Sequence, residues 1–308
     1  MTISAQMVFE VRPGSGSDTN GGGFKTGASG TDWTQQDAAQ YSVTDGVTAG
    51  TTTITSATAN FGTDVVGNLV YVQGGTGSVT GNWYEITARA SATSITVDRS
   101  TGLTAGTGVT LKIGGALATI GGLGAIFAGA AAGLDGIAAW VKAGTDTLTS
   151  STANISGGRF SIGNQIYAII GYNSTRGDLN ASIGSASRPV IDAGAITATT
   201  MLSLGDRSLL ANIIVDGNSG ASNIGITNTG ANVYNCTARD CVSGFTGTKA
   251  TFCSAITCGT GFNGSGGGMY LYGCFTNDCT TAGYNINGGA LYNCVSINDA
   301  VSCIHSGN

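Results

Sequence analysis

The stretch 234–305 constrains this chain most, because one short pattern is written there four times. The copies are Tyr234-Asn-Cys236 with Cys241 and Gly244-Phe245, then Thr251-Phe-Cys253 with Cys258 and Gly261-Phe262. Next come Tyr272-Gly-Cys274 with Cys279 and Gly283-Tyr284, and Tyr292-Asn-Cys294 with Cys303-Ile304. The leading cysteines lie 17, 21 and 20 residues apart. A period near 20 residues, rich in Gly, Asn and small apolar side chains, marks a solenoid of stacked coils. One coil cannot bury its apolar side alone, so each must lean on the next. The expected core ladder is Cys236, Cys253, Cys274 and Cys294, then Cys241, Cys258 and Cys279, then Phe245, Phe262 and Tyr284. Tyr234, Tyr272 and Tyr292 precede leading cysteines by two residues and so share their strand face, which predicts an internal stack. The alternative is an outward, sugar-stacking stripe.

The pattern extends backwards with a different filling. Further rungs are read at 166–170, 189–192, 201–204, 211–218 and 224–226, in coils that use Ile, Val and Leu where the later ones use Cys, Phe and Tyr. Asn212, Asn235 and Asn293 each precede a core position, which suggests an Asn at one recurring corner, bonding turn backbone. Stacking at about 4.8 Å would make seven or eight rungs roughly 35 Å long.

Between 41 and 115 the text alternates with period two, at 53–55, 69–72, 83–86, 94–97 and 109–112, with Gly-Thr and Gly-Asn turns between. That predicts a small antiparallel barrel or sandwich as a separate module. A Gly-rich opening strand and loop (1–40) precedes it, and a short capping helix is expected within 116–136, centred on 117–132. The solenoid then fills 137–308. The charge-free run 113–134 contains seven Gly residues and fits that helix better than a membrane span. The N-terminal ten residues lack a basic region and an unbroken apolar core, so a secretory signal is not expected. The Gly-rich loop at 14–23 lacks the Gly-Lys-Ser/Thr continuation of a phosphate cradle and reads as a turn.

Composition removes several function classes. Only 9% of residues are charged, and the 12 Lys and Arg are scattered singly at a net charge of −5, which gives no stripe for nucleic acid. Of 17 acids only Glu10 and Glu85 are Glu, leaving 15 Asp, a residue of turns. The single His, His305, leaves Ser-His-Asp and mixed Cys/His metal chemistry without support. The leading cysteines form a line, whereas zinc requires a tetrahedron, so neither metal nor cofactor is expected. They read as free, buried small hydrophobes, although disulfides between rungs are sterically feasible. Asp192 and Asp216 sit in similar contexts one coil apart and are the candidate catalytic pair; an Asp before Gly or Ala-Gly is also an ordinary turn residue. Asp240, Asp278 and Asp299 recur near the second Cys position as a sparse column. No acid cluster offers a Ca²⁺ site.

Gly16-Ser-Asp18-Thr-Asn-Gly-Gly-Gly-Phe24, Trp140-Val-Lys-Ala-Gly-Thr145, Ile214-Val-Asp-Gly-Asn218 and the Cys-bearing coils carry a resemblance. Together they resemble the right-handed parallel β-helix proteins of the pectate-lyase-like superfamily, and more narrowly those encoded by tailed bacteriophages. The resemblance implies an all-β chain with a right-handed parallel β-helix behind a small β module used for attachment. It implies a virion protein (tailspike, fibre or head decoration), assembled in the host cytoplasm as a trimer with other virion proteins. Host surface glycan is the implied further partner. The expected function is a structural or attachment role with the coil as a rigid rod. The alternatives are a polysaccharide depolymerase using Asp192 and Asp216, or an adhesin that binds glycan without cutting it. The terminal 302–308 carries no evident cap, so a longer gene product or a covering partner is expected.

Overall fold

Strand Met7–Val11 buries Met7, Phe9 and Val11 and pairs antiparallel with Gly23–Lys25 at the start of a computed structural model of the chain. The structure describes residues 6–100, 103–128, 136–149, 167–178, 188–197, 200–204, 208–218, 222–228, 230–247, 249–264 and 268–305. Two units are separated at Met1–Ala139 and Trp140–Asn308.

The first unit is dominated by a closed antiparallel barrel. Its six strands follow the order Tyr41–Ala49, Thr53–Thr55, Ser94–Val97, Val79–Ser91, Leu69–Gly74 and Ala105–Ile113, which returns to the first. Closure leaves no free edge to recruit another chain. The period-two alternation turns Ile54, Val70, Val72, Tyr84, Ile86, Ile95, Val109 and Leu111 inward, where all are fully buried. Gly46 sits where two strands pinch together: a Cβ there would lie 2.7 Å from the Val109 carbonyl oxygen. Helix Ile120–Ala128 presents Ile120, Leu123, Ile126 and Phe127 as one buried stripe, and the Phe127 ring meets Phe9 edge-on at 5.3 Å. Part of the expected helical segment, 129–135, lies outside the described residues. No helix among the described residues is long and apolar enough to cross a membrane.

The second unit visits three parallel sheets in turn. The first sheet runs Ile137–Lys142, Tyr167–Tyr172, Leu209–Ala211, Asn232–Tyr234, Lys249–Thr251, Met269–Tyr272 and Gly289–Tyr292. The second runs Thr145–Thr147, Val190–Asp192, Ile214–Asp216, Thr237–Arg239, Ser254–Ile256, Phe275–Asn277 and Val295–Ile297. The third runs Thr200–Leu204, Ile224–Asn228, Ser243–Thr246, Thr260–Gly264, Ala282–Ile286 and Cys303–His305. From Tyr167 onward each described turn adds one strand to each sheet, which places equivalent residues of successive turns in register.

Two corners make this repetition possible. Between the first and second sheets one residue per turn takes the left-handed conformation: Asn212 (φ 59), Asn235 (φ 48), Phe252 (φ 52), Gly273 (φ 62) and Asn293 (φ 53). Between the second and third sheets Asp240 (φ 53), Thr257 (φ 51), Asp278 (φ 58) and Asn298 (φ 53) do the same. Asn and Asp tolerate this region because their short polar side chains bond locally. At the first corner the Asn235 amide donates to Asn212 Oδ1 at 2.8 Å, and Asn212 donates to the Gly171 carbonyl at 3.3 Å. Asn212 and Asn235 are thus joined by side-chain bonds at this corner, while Phe252 and Gly273 separate them from Asn293.

Inside, like stacks on like. Leu202, Ile226, Phe245, Phe262, Tyr284 and Cys303 are consecutive register partners in the third sheet. Phe245 stacks on Phe262 at 4.6 Å and 7°, and Phe262 on Tyr284 at 5.5 Å and 13°. Burying each ring is worth about 1.5–3 kcal/mol, with about 0.5–1.5 kcal/mol more for an aromatic pair.

Candidate functional site

The first sheet turns an aromatic stripe outward. Its strands alternate exposed, buried, exposed, so Val233 and Leu271 point in while Tyr234, Tyr270 and Tyr272 point out. Tyr234, Phe252, Tyr270, Tyr272 and Tyr292 are 44%, 49%, 55%, 48% and 56% exposed. This corrects the expectation that the tyrosines stack inside. The left-handed residue between Tyr234 and Cys236 breaks the period of two, so residues two apart across the corner face opposite ways. Tyr234, Thr251, Tyr272 and Tyr292 are register partners in successive turns. Lys249 is exposed beside its register partner Tyr270.

Phe252 fills the gap left by Thr251. Its ring lies edge-on to both Tyr234 and Tyr272, at 5.8 Å from each. It reaches there from a left-handed corner position, an unfavourable conformation for a bulky residue. Gly273 in the next turn makes room: a Cβ at that glycine would lie 2.5 Å from Phe252 Cδ1. The sequence signal was present as Phe252 in place of the corner Asn, and Gly273 after it. Without the corner geometry it carried no direction.

The candidate acids do meet in register. Asp192 and Asp216 are partners on adjacent strands of the second sheet, both half-buried. Each is already engaged. Asp192 Oδ1 accepts the Gly194 amide at 2.7 Å, and Asp216 Oδ1 accepts the Asn218 amide at 2.9 Å. Asp216 Oδ2 also receives Arg239 Nε at 2.7 Å and Nη2 at 2.6 Å, from the next turn of the same column. Two guanidinium nitrogens converging on one oxygen fix the orientation of the carboxylate. The pair has turn geometry with an ion pair above it.

The structure places Cys236, Cys253, Cys274, Cys241, Cys258 and Cys279 in the interior, all as free thiols, with Cys294 half-buried and Cys303 exposed. Cys236, Cys253, Cys274 and Cys294 directly follow the first corner; Cys241, Cys258 and Cys279 follow the second. Burial, together with like neighbours, pushes Cys253 well up, and burial raises Cys279 to about 12. Cys303 does not belong to the second cysteine column: it pairs with Tyr284 in the aromatic column, and Asp299 takes the next cysteine place. Asp240 and Asp278 are corner residues one position earlier, so the three acids do not form a column. Asp299 accepts the Cys279 amide at 2.7 Å, the Thr276 hydroxyl at 2.5 Å and the Ser296 hydroxyl at 2.6 Å. Burial raises its pKa, and these bonds outweigh burial to leave it below 3.8.

The Gly-rich loop has a structural use. Asp18 Oδ1 accepts the amides of Ala118 and Thr119, both at 2.9 Å, and Oδ2 accepts the Thr119 hydroxyl at 2.7 Å. The start of helix Ile120–Ala128 is therefore satisfied by a carboxylate from the loop, where an anion would otherwise bind. Beside it a cavity of about 350 Å³ is lined by Ser15, Ser17, Asn20, Asp37, Ser42 and Lys112. Lys112 donates to Thr19 Oγ1 at 2.7 Å, and Arg12 pairs with Asp37 at 3.0 Å. Among the described residues no group of three or more His, Cys, Asp or Glu gathers to hold a metal.

No protein-family model matches the chain, and no curated protein matches its sequence. Several solved structures resemble it, two of them as follows. The tailspike protein gp49 from Pseudomonas phage LKA1 is 12% identical, over 85% of this chain and 41% of that one, at a TM-score of 0.21. The catalytic domain of a GH87 alpha-1,3-glucanase, solved with nigerose, is 10% identical over 84% of this chain and 60% of its own, at 0.28. The chain thus spans less than two thirds of either neighbour. Superpositions at this level assign neither family nor chemistry.

Proposed function

We propose that this chain is a non-cutting attachment protein of a bacteriophage particle, a right-handed parallel β-helix whose first sheet binds host glycan through its aromatic stripe. The observation that carries the glycan-binding part is Phe252. It occupies a left-handed corner that Asn212, Asn235 and Asn293 fill in other turns, and it bridges Tyr234 to Tyr272. Strain of this kind costs about 1–3 kcal/mol and is retained where it serves a surface. Aromatic faces pack on the apolar C–H faces of sugar rings, while the tyrosine hydroxyls and Lys249 supply directed hydrogen bonds. The virion placement is supported by the resemblance of the N-terminal loop, the 140–145 restart and the Cys-bearing coils to phage β-helix proteins. On this reading the barrel docks on other virion proteins and the assembled form is a trimer.

A depolymerase is the second reading, favoured by the stacking of Asp192 on Asp216. What speaks against it is that both carboxylates are already engaged, Asp192 with the Gly194 amide and Asp216 with the Asn218 amide and Arg239. The test is to incubate the chain with host surface polysaccharide, measuring retention and newly formed reducing or unsaturated ends. Retention without new ends is expected. Retention should fall about tenfold in Tyr272→Ala, a loss of about 1.4 kcal/mol. Polysaccharide shortening abolished by Asp216→Asn would establish the depolymerase instead, and retention unchanged in Tyr272→Ala and Phe252→Asn would remove the stripe from binding.

A further inference from the structure

The cysteine columns hold nucleophiles that glycan binding does not use, and one pair has both the geometry and the access for chemistry. Cys274 and Cys294 follow the same left-handed corner in adjacent turns, after Gly273 (φ 62) and Asn293 (φ 53). Their flanking residues are register partners, Tyr272 with Tyr292 and Phe275 with Val295. In-register parallel neighbours are about 4.8 Å apart, inside the Cα range a disulfide spans. Cys294 Sγ leans back to within 3.7 Å of the Leu271 carbonyl, into the turn that holds Cys274. Cys274 is buried and Cys294 half-buried, so a reagent reaches one member and the other resolves.

We propose that Cys274 and Cys294 are a thiol–disulfide modification site that closes to an inter-turn disulfide when the chain meets a small disulfide oxidant. The Cys294 thiolate attacks one sulfur of oxidised glutathione, the S–S bond breaks, and one glutathione leaves as thiolate. Cys274 then gives up its proton to solvent and attacks Cys294 Sγ. The second glutathione thiolate leaves, so two thiols are oxidised and one oxidant disulfide is reduced. The hydrogen bond from Cys274 lowers Cys294 to about 6 and, with burial, raises Cys274, which fits attacking and resolving roles. The pairs Cys236 with Cys253 and Cys241 with Cys258 stack similarly but are buried on both members and stay reduced.

The test treats the full chain with oxidised glutathione and maps its peptides by mass spectrometry without reduction. The expected product links Cys274 to Cys294, loses two of the eight free thiols and regains them with dithiothreitol. A Cys303→Ser background removes the exposed competitor, and Cys274→Ser should trap glutathione on Cys294. If Cys274→Ser fails to fold, the wild-type peptide map decides alone. A map showing only glutathionylated Cys294, only chains joined through Cys303, or all eight thiols unchanged would overturn the proposal.

Discussion

The barrel and the coil solve core formation in opposite ways. In the barrel six strands send residues of different size and shape to one centre, so Ile54, Tyr84, Val97 and Leu111 share one mixed cluster. In the coil each position meets its own equivalent one turn away, as Phe245 meets Phe262 and Phe262 meets Tyr284. A change in the barrel core is shared among all strands. A change in the coil is felt by two neighbours, and stability there is a sum over adjacent turns.

The largest effect that would sharpen this contrast comes from Phe262→Ala, which removes the middle ring of the stack. It should destabilise the coil by about 3–5 kcal/mol while leaving the near-ultraviolet transition of Trp83 in the barrel in place during urea unfolding. Next, Ile95→Ala should cost the barrel about 2–5 kcal/mol without moving a coil probe such as the exchange protection of the Leu271 amide. If either variant shifts both transitions together, the two cores unfold as one and the comparison breaks.

Asp299→Ala comes third, at about 1–3 kcal/mol, because it strips the buried Thr276 hydroxyl of its acceptor. Its pH dependence has a definite sign. The folded pKa lies below 3.8, so the carboxylate's contribution is fully present above that value and is lost as pH falls through the lower folded pKa. The melting-temperature gap between the native chain and Asp299→Asn should therefore be flat from neutrality to near pH 4 and close below it. The smallest effect is a gain: Phe252→Asn should stabilise the coil by about 1 kcal/mol by relieving the strained corner. The same variant should weaken glycan retention, and a gain in both would detach the strain from the proposed use.

Both kinds of core were legible in the sequence to the extent that they are periodic. The alternation at 53–55, 69–72 and 94–97 corresponds to barrel strands, and the repeated Cys-Phe pattern to stacked turns. What escaped was phase. Tyr234, Tyr272 and Tyr292 face outward because a single left-handed residue resets the alternation, and a hydropathy pattern does not record φ. Cys303 looked like the partner of Cys294 because the true occupant of that column, Asp299, is polar and earns its place through three hydrogen bonds. Asp18 was read only as part of a turn, since its partners Ala118 and Thr119 lie a hundred residues onward.

The first corner has the same length in every described turn from Leu209 to Ile297: one left-handed residue and the residue after it, buried in all but the half-buried Cys294, separate the first-sheet strand from the second. Differences in turn length fall elsewhere: on the way from the second sheet to the third, which is long between Asp216 and Ile224 and short between Arg239 and Ser243, and on the return from the third sheet to the first, which is brief after Thr246 and Ile286 and longer after Gly264. That return is one place where this architecture can accept foreign sequence. A peptide spliced between Gly264 and Met269 would lengthen one excursion and leave both corners and every register pair untouched. A single residue added between Tyr272 and Phe275 would rotate the second sheet out of phase with its neighbours. The coil is thus a scaffold whose editable margins lie away from the first corner, and its surface can diversify there without renegotiating the interior.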